Sequence, residues 1–216
     1  MKSNVILHQL PLGSMENFIY ILGDPETKEA AVIDPAWDVK KILAAAQKNG
    51  LNITAIFLTH GHHDHVNGID ALQTTHDVPV YMSQHEAGIF TPKCKGLVKI
   101  KPNHTLTLGK LKIDCLHTPG HSPGCQCFMV GDTLIAGDAI FIDGCGRCDL
   151  PGSDPKAMYH SLYEVIMKLP DSTVIYPGHD YGPTPFATVG EQKKTNPYLQ
   201  CKNLEEFLMG RMGMTF

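Results

Sequence analysis

A chain of 216 residues, 43% hydrophobic and 19% charged, has the makeup of one globular domain. At that length folding buries about 70% of the extended-chain surface, so no disulfide staples are required. A net charge of −4 excludes bulk attraction to nucleic-acid phosphates or to anionic membranes.

The chain opens on Met1-Lys2-Ser3-Asn4 and a short apolar run, Val5-Ile6-Leu7, broken at once by His8 and Gln9. That run is too short for a signal-peptide core, and no later segment has the length of an apolar spanning helix. The seven cysteines lack the spacing of a small secreted framework, so reduced thiols and a cytoplasmic setting are expected. The first strand signals are residues 4–10, 18–22 and 30–33. Val39, Ile42, Leu43 and Ala46 then mark a helix stopped by Gly50. Further strands are expected over residues 53–58, 78–81, 111–116, 125–130 and 133–136. A second helical stripe follows in Met158, Leu162, Val165, Ile166 and Leu169, opened by Asp154-Pro155 and closed by Pro170. A strand over residues 173–176 comes next, and Asn203-x-x-Glu206 resembles a capping box ahead of Leu204, Phe207 and Leu208. Early strands read as antiparallel pairs and helices enter between later ones, which suggests α/β layers with helices outside the sheets. No repeat, low-complexity tract or charged linker divides the chain, so residues 1–216 are read as one domain.

Chemistry concentrates in the histidines. Thr59-His60-Gly61-His62-His63-Asp64-His65 follows the apolar strand over 53–58. Residues 60, 62 and 64 share parity, so an extended backbone would aim their side chains to one side. His65 then joins them only if the chain turns after Asp64. Four imidazole and carboxylate groups in six residues resist burial unless something coordinates them, and they are the ordinary ligands of zinc and similar ions. A solvated His-rich loop is the bland alternative. Three more candidates each sit on a glycine-containing turn after a strand: His121 in Thr118-Pro-Gly-His121, Asp138 in Ala136-Gly-Asp138, and His179 in Tyr176-Pro-Gly-His179. Singly each reads as a turn residue. Together with the first cluster they make seven donors, which suit two adjacent metal sites sharing one carboxylate.

This series, His-x-His-x-Asp-His, then an isolated His, a Gly-Asp and a Gly-His, resembles the ligand order of the metallo-β-lactamase superfamily. The resemblance spans residues 59–181 and the early strands. It implies a four-layer αβ/βα sandwich with the site at the edge between two sheets. It further implies His60, His62 and His121 on one metal, Asp64, His65 and His179 on another, and Asp138 bridging them. The expected cofactors are two divalent ions, Zn2+ foremost, with iron or manganese as alternatives. The activity implied is hydrolysis by metal-activated water, with Asp64 and Asp138 as catalytic groups. Asp34, in Val32-Ile33-Asp34-Pro35, suits either an acceptor orienting a ligand histidine or an ordinary turn.

Gly144-Cys145-Gly146-Arg147 is similar to the compact members of the glyoxalase II (hydroxyacylglutathione hydrolase) family. That likeness implies a small-molecule S-acylglutathione thioester as substrate, with Arg147 and Tyr181 as substrate-binding residues. Arg147 suits a glutathione carboxylate; the alternative is a loop ion pair with Asp143 or Asp149. Glyoxalase II of the usual length carries a helical glutathione-binding domain after the last ligand. Here 37 residues follow His179, enough only for a short helical tail. Persulfide dioxygenases are the rival, since they carry a similar Gly-Cys-Gly-Arg-x-Asp run. That likeness implies one iron on His60, His121 and Asp138, acting on glutathione persulfide. Cys148 and Leu150 depart from that loop pattern. A secreted lactamase lacks its export signal here, a nuclease its basic stripe, and a closed structural zinc module its cysteine-rich ligands. Cys145-x-x-Cys148 is read as ordinary thiols, and Cys125-x-Cys127 as core packing.

Overall fold

The computed structural model describes residues 4–213. Met1-Lys2-Ser3 and the last three residues of the single domain read above lie outside the described residues. Two six-stranded sheets stack face to face. The first runs in strict chain order: β1 (Ile6–Leu12), β2 (Asn17–Gly23), β3 (Glu29–Ile33), β4 (Asn52–Phe57), β5 (Val80–Ser83) and β6 (Leu97–Ile100). Its first three strands pair antiparallel and the rest parallel. The second sheet holds β7 (Thr105–Leu108), β8 (Leu111–His117), β9 (Gln126–Val130), β10 (Thr133–Gly137), β11 (Val174–Pro177) and β12 (Ala187–Thr188), again neighbours in chain order.

Strand alternation explains the layers. In β2 every residue is buried: Ile19 and Ile21 face the helices, while Phe18, Tyr20 and Leu22 face the other sheet. Helix α1 (Val39–Lys48) lays Val39, Ile42 and Ala46 on the first sheet. Asp38 caps α1 by accepting from the Lys41 N–H, and Gly50 follows its end at φ +63°, where a side chain would strain the backbone. The inter-sheet layer is closed by Phe57, Ile113, Cys115, Phe128 and Ile135. Outside the second sheet, α4 (Pro155–His160), α5 (Val189–Thr195) and α6 (Leu204–Met212) bury Met158, Val189, Phe207 and Leu208. The order helix, sheet, sheet, helix is the expected four-layer αβ/βα sandwich. No helix among the described residues is long and apolar enough to cross a membrane.

All nine expected strands form, displaced by one or two residues at their ends. Three short ones, β6, β7 and β12, were not anticipated. The stripe over 158–169 is not one α-helix. After α4 it widens into a π-turn at Ser161–Val165 and tightens to a 3-10 turn at Ile166–Lys168, yet Met158, Leu162 and Ile166 still face the core. Asn203 caps α6 as expected, but the Glu206 carboxylate accepts from the Lys202 N–H rather than from the cap residue. A complete capping box forms instead at Thr188 and Glu191 ahead of α5.

Candidate metal centre

The centre lies at one edge of the sandwich, where loops leave the ends of β3, β4, β8, β10 and β11. Two buried contacts hold the sheets in register there. Tyr20 donates its hydroxyl to the Pro177 carbonyl, and Gln126 spans to the Leu58 and Thr59 carbonyls. The loops they anchor carry His60 and His179.

After β4 the chain stays extended through His62 and then turns into α2 (His63–Val66), followed by α3 (Ile69–Gln73). This corrects the parity reading. The turn comes before Asp64, not after it, and Asp64 and His65 reach the centre from a helical turn rather than from an extended strand.

The fold brings all seven expected donors together. His60, His62 and His121 form one trio whose ligand atoms lie within 4.8 Å of each other, and Asp64, His65 and His179 form another. A third grouping joins Asp34 to His60 and His65. Asp138 stands between the trios, its Oδ2 3.4 Å from both His121 Nε2 and His179 Nε2 and its Oδ1 3.5 Å from His65 Nε2. His62 Nδ1 and His121 Nε2 are 2.8 Å apart, and His65 Nε2 and His179 Nε2 are 3.2 Å apart. Donors on one tetrahedral ion with bonds of about 2.0–2.1 Å stand about 3.4 Å from one another. His60 Nε2, His62 Nε2 and Asp138 Oδ1 are buried with no hydrogen-bond partner. Orphaned polar atoms within clusters of ligand-type side chains fit divalent ions.

Four of the five histidines are oriented from behind. Carbonyls only accept, so the Met15 carbonyl (2.7 Å) and the Arg147 carbonyl (2.8 Å) fix protons on Nδ1 of His179 and His121, turning both Nε2 atoms inward. Asp34 Oδ2 accepts from His65 Nδ1 at 3.0 Å, so Asp34 orients a histidine rather than merely ending β3. The same carboxylate accepts from the Thr59 N–H and hydroxyl. With its proton committed, the Thr59 oxygen accepts from His60 Nδ1 at 3.1 Å.

The electrostatics divide the centre. Burial, aided by neighbouring imidazoles, pushes His60 well below the usual histidine range and His62 down to about 4. Burial, the largest single influence, opposes ionisation at His65 and His179 as well, but the acceptors around them together outweigh it and raise both: Asp138, Asp34 and Asp64 at His65, and Asp138 with the Met15 carbonyl at His179. Asp64 and Asp138 are held low against burial, by the imidazoles beside them. Three buried or half-buried carboxylates thus draw positive charge into one place, which a divalent ion supplies.

Several supports were not foreseen. Asn17 accepts from the Trp37 indole N–H at 2.8 Å, which orients its amide to donate to Asp64 Oδ2 at 2.9 Å. The one readable sign was a polar residue at the head of an all-apolar strand. Buried Glu86 accepts from the Gly61 N–H and the Ser122 hydroxyl, tying the two ligand loops of the first trio. Glycines let backbone crowd Asp138. A Cβ on Gly178 would stand 2.3 Å from Asp138 Oδ1, and one on Gly146 2.1 Å from the Asp138 carbonyl oxygen.

Gly146 explains the packing of the Gly144–Arg147 loop but not its chemistry. The Arg147 guanidinium makes a bidentate pair with Asp149 and is exposed, while Asp143 pairs with Gln192 and Thr195 instead. Arg211 of α6 donates to the Gly146 carbonyl at 3.0 Å, so the C-terminal tail braces this loop. The thiols of Cys145 and Cys148 are buried, and burial pushes Cys148 up to about 11. At the mouth, Tyr181 stacks on the His179 ring at 4.6 Å, and Phe90 meets His62 edge-on at 4.5 Å.

The profile of the Metallo-beta-lactamase superfamily matches residues 14–179. The chain is 34% identical over 192 residues to the probable polyketide biosynthesis zinc-dependent hydrolase BaeB of Bacillus velezensis, covering 89% of this chain and 85% of that protein. It is 32% identical over 212 residues to human mitochondrial persulfide dioxygenase ETHE1, covering 91% and 77%. The crystal structure of ETHE1 from Myxococcus xanthus superposes with a TM-score of 0.87 at 31% identity, covering 97% of this chain and 92% of that one.

Proposed function

The chain belongs to the metallo-beta-lactamase superfamily, and from that premise we propose that it is a two-metal thioester hydrolase of the glyoxalase II kind, acting on S-acylglutathione. One observation carries the reading: the donors form two trios with a shared carboxylate between them, more ligation than a single ion requires. His60, His62 and His121 would hold one ion, Asp64, His65 and His179 the other, and Asp138 would serve both. Such ions supply Lewis acidity, bringing the pKa of water towards 7 and polarising an acyl carbonyl.

The chain's own groups do the positioning. Asn17 fixes the Asp64 carboxylate, whose Oδ2 faces His65 and His179 at 3.4 Å, where it can orient a water or take its proton. Tyr181 and Phe90 wall the mouth on opposite trios and limit water around a bound acyl group. Arg147 is the proposed anchor for a glutathione carboxylate, which would compete with Asp149 for the guanidinium.

A second reading has specific support. The persulfide dioxygenase ETHE1 matches over most of this chain, and here one iron on His60, His121 and Asp138 would act on glutathione persulfide. Metal analysis and anaerobic S-lactoylglutathione hydrolysis, on wild type and His179→Ala, separate the two. The hydrolase loses its second ion and most of its activity in the variant. One iron per chain in both proteins, no anaerobic hydrolysis, and oxygen uptake with glutathione persulfide would establish the dioxygenase.

A further inference from the structure

The same edge of the sandwich carries a second pair of imidazoles outside the seven-donor centre. His117 is the last residue of β8 in one sheet, and His85 lies just beyond β5 in the other. Their ring centroids are 5.2 Å apart and the ring planes are tilted by 41°. The His117 Nδ1 atom is buried with no hydrogen-bond partner, although the ring as a whole is half-buried. His85 is exposed, so the pair opens to solvent.

Alternation in β8 explains the placement. Ile113 and Cys115 point into the inter-sheet layer, and His117 continues that face at the strand end, where the apolar filling gives out. Burial and the adjacent His85 ring both push His117 below the usual histidine range. The ring is therefore neutral at neutral pH and keeps a lone pair available.

We propose that His85 and His117 form a second, open site for a borderline transition ion such as Zn2+, Ni2+ or Cu2+, with water completing the coordination. Two imidazoles in ring contact, one with an unpartnered ring nitrogen, select this class over Mg2+ or Ca2+, which prefer oxygen donors. An ion held there clips the end of β5 in one sheet to the end of β8 in the other. The site does not depend on which reaction the main centre performs.

The test is titration with Cu2+ of protein whose resident metal content is known, with resident metal followed by elemental analysis. The expected result is one Cu2+ per chain beyond the resident ions, with nitrogen hyperfine structure in its electron paramagnetic resonance spectrum. His85→Asn, at an exposed position, should remove that equivalent and leave resident metal unchanged; His117→Asn should match it if it folds. As a second readout, Ni2+ should raise the Tm of wild type and not of His85→Asn, because an ion bound only by the native state stabilises it. Retention of the extra Cu2+ in His85→Asn overturns the site, as does the absence of extra Cu2+ in wild type.

Discussion

The two trios of the centre are built from different materials. His60, His62 and His121 are all imidazole, and two of them are pushed towards neutrality by burial and then by neighbouring imidazoles, His65 foremost at His60 and His121 foremost at His62. Asp64, His65 and His179 include a carboxylate, and Asp34 stands behind His65. Here the imidazoles are driven towards positive charge. The supports differ as well. The first trio leans on a hydroxyl, the Arg147 carbonyl and the Glu86 tether, whereas the second leans on Asp34, Asn17 and the Met15 carbonyl. An all-imidazole cup and a carboxylate-bearing cup therefore sit side by side, and the carboxylates give the second the stronger electrostatic claim on a cation. Asp138 is the group both share.

The largest expected effect comes from destroying what is common. Asp138→Ala should cut turnover by more than about 10²-fold, the scale of losing one preorganised electrostatic group, and reduce metal content in both trios. The fold should persist, as circular dichroism would show. Two fully occupied ions in that variant would refute the bridging role. A smaller effect, weighted towards the second trio, is expected from Asp34→Asn. Asp34 has a φ of +53°, which asparagine tolerates, so the backbone should survive. The amide cannot serve the Thr59 N–H and hydroxyl and also His65 Nδ1–H as a carboxylate does. Affinity for the ion on Asp64, His65 and His179 should fall about 10–100-fold, and the ion on His60, His62 and His121 should weaken less, through Thr59 and His60. Equal loss of both ions, by competition with a chelator, would erase the distinction between the cups. The smallest effect is expected outside both. Arg147→Ala removes one charge-assisted contact, worth about 1.5–3 kcal/mol, so KM for S-lactoylglutathione should rise about tenfold or more with kcat nearly constant. An unchanged KM would leave the Asp149 pair as the side chain's whole role.

The seven donors were legible because each sits in a short run with a glycine or a second ligand, and because they exceed what any solvated loop needs. Asp64 does lie beside the other donors, but not for the reason that parity gives. Parity holds only along an extended backbone, and α2 begins one residue too early for it. The β7 strand, Thr105-Leu-Thr-Leu108, has a plain period of two and was readable. The β6 strand was not: Leu97-Val-Lys-Ile100 is a four-residue edge strand with two exposed positions. Asn17, Trp37 and Glu86 were hidden for another reason. Their role is a contact with residues distant in the chain, such as Asn17 with Asp64 or Glu86 with Ser122, and no local pattern encodes the partner.

The arrangement of the ligands along the chain also bears on assembly. Each sheet is laid down in chain order, so most pairing is between neighbours and can form early, at small entropic cost. The metal centre is the opposite. His62 and His121 are 59 positions apart, and His65 and His179 are 114 apart. During synthesis the second trio stays incomplete until residue 179 has emerged and the two sheets have closed on each other. Stable ion capture is then among the last events of folding, and a fully loaded centre certifies that both halves of the chain have found each other.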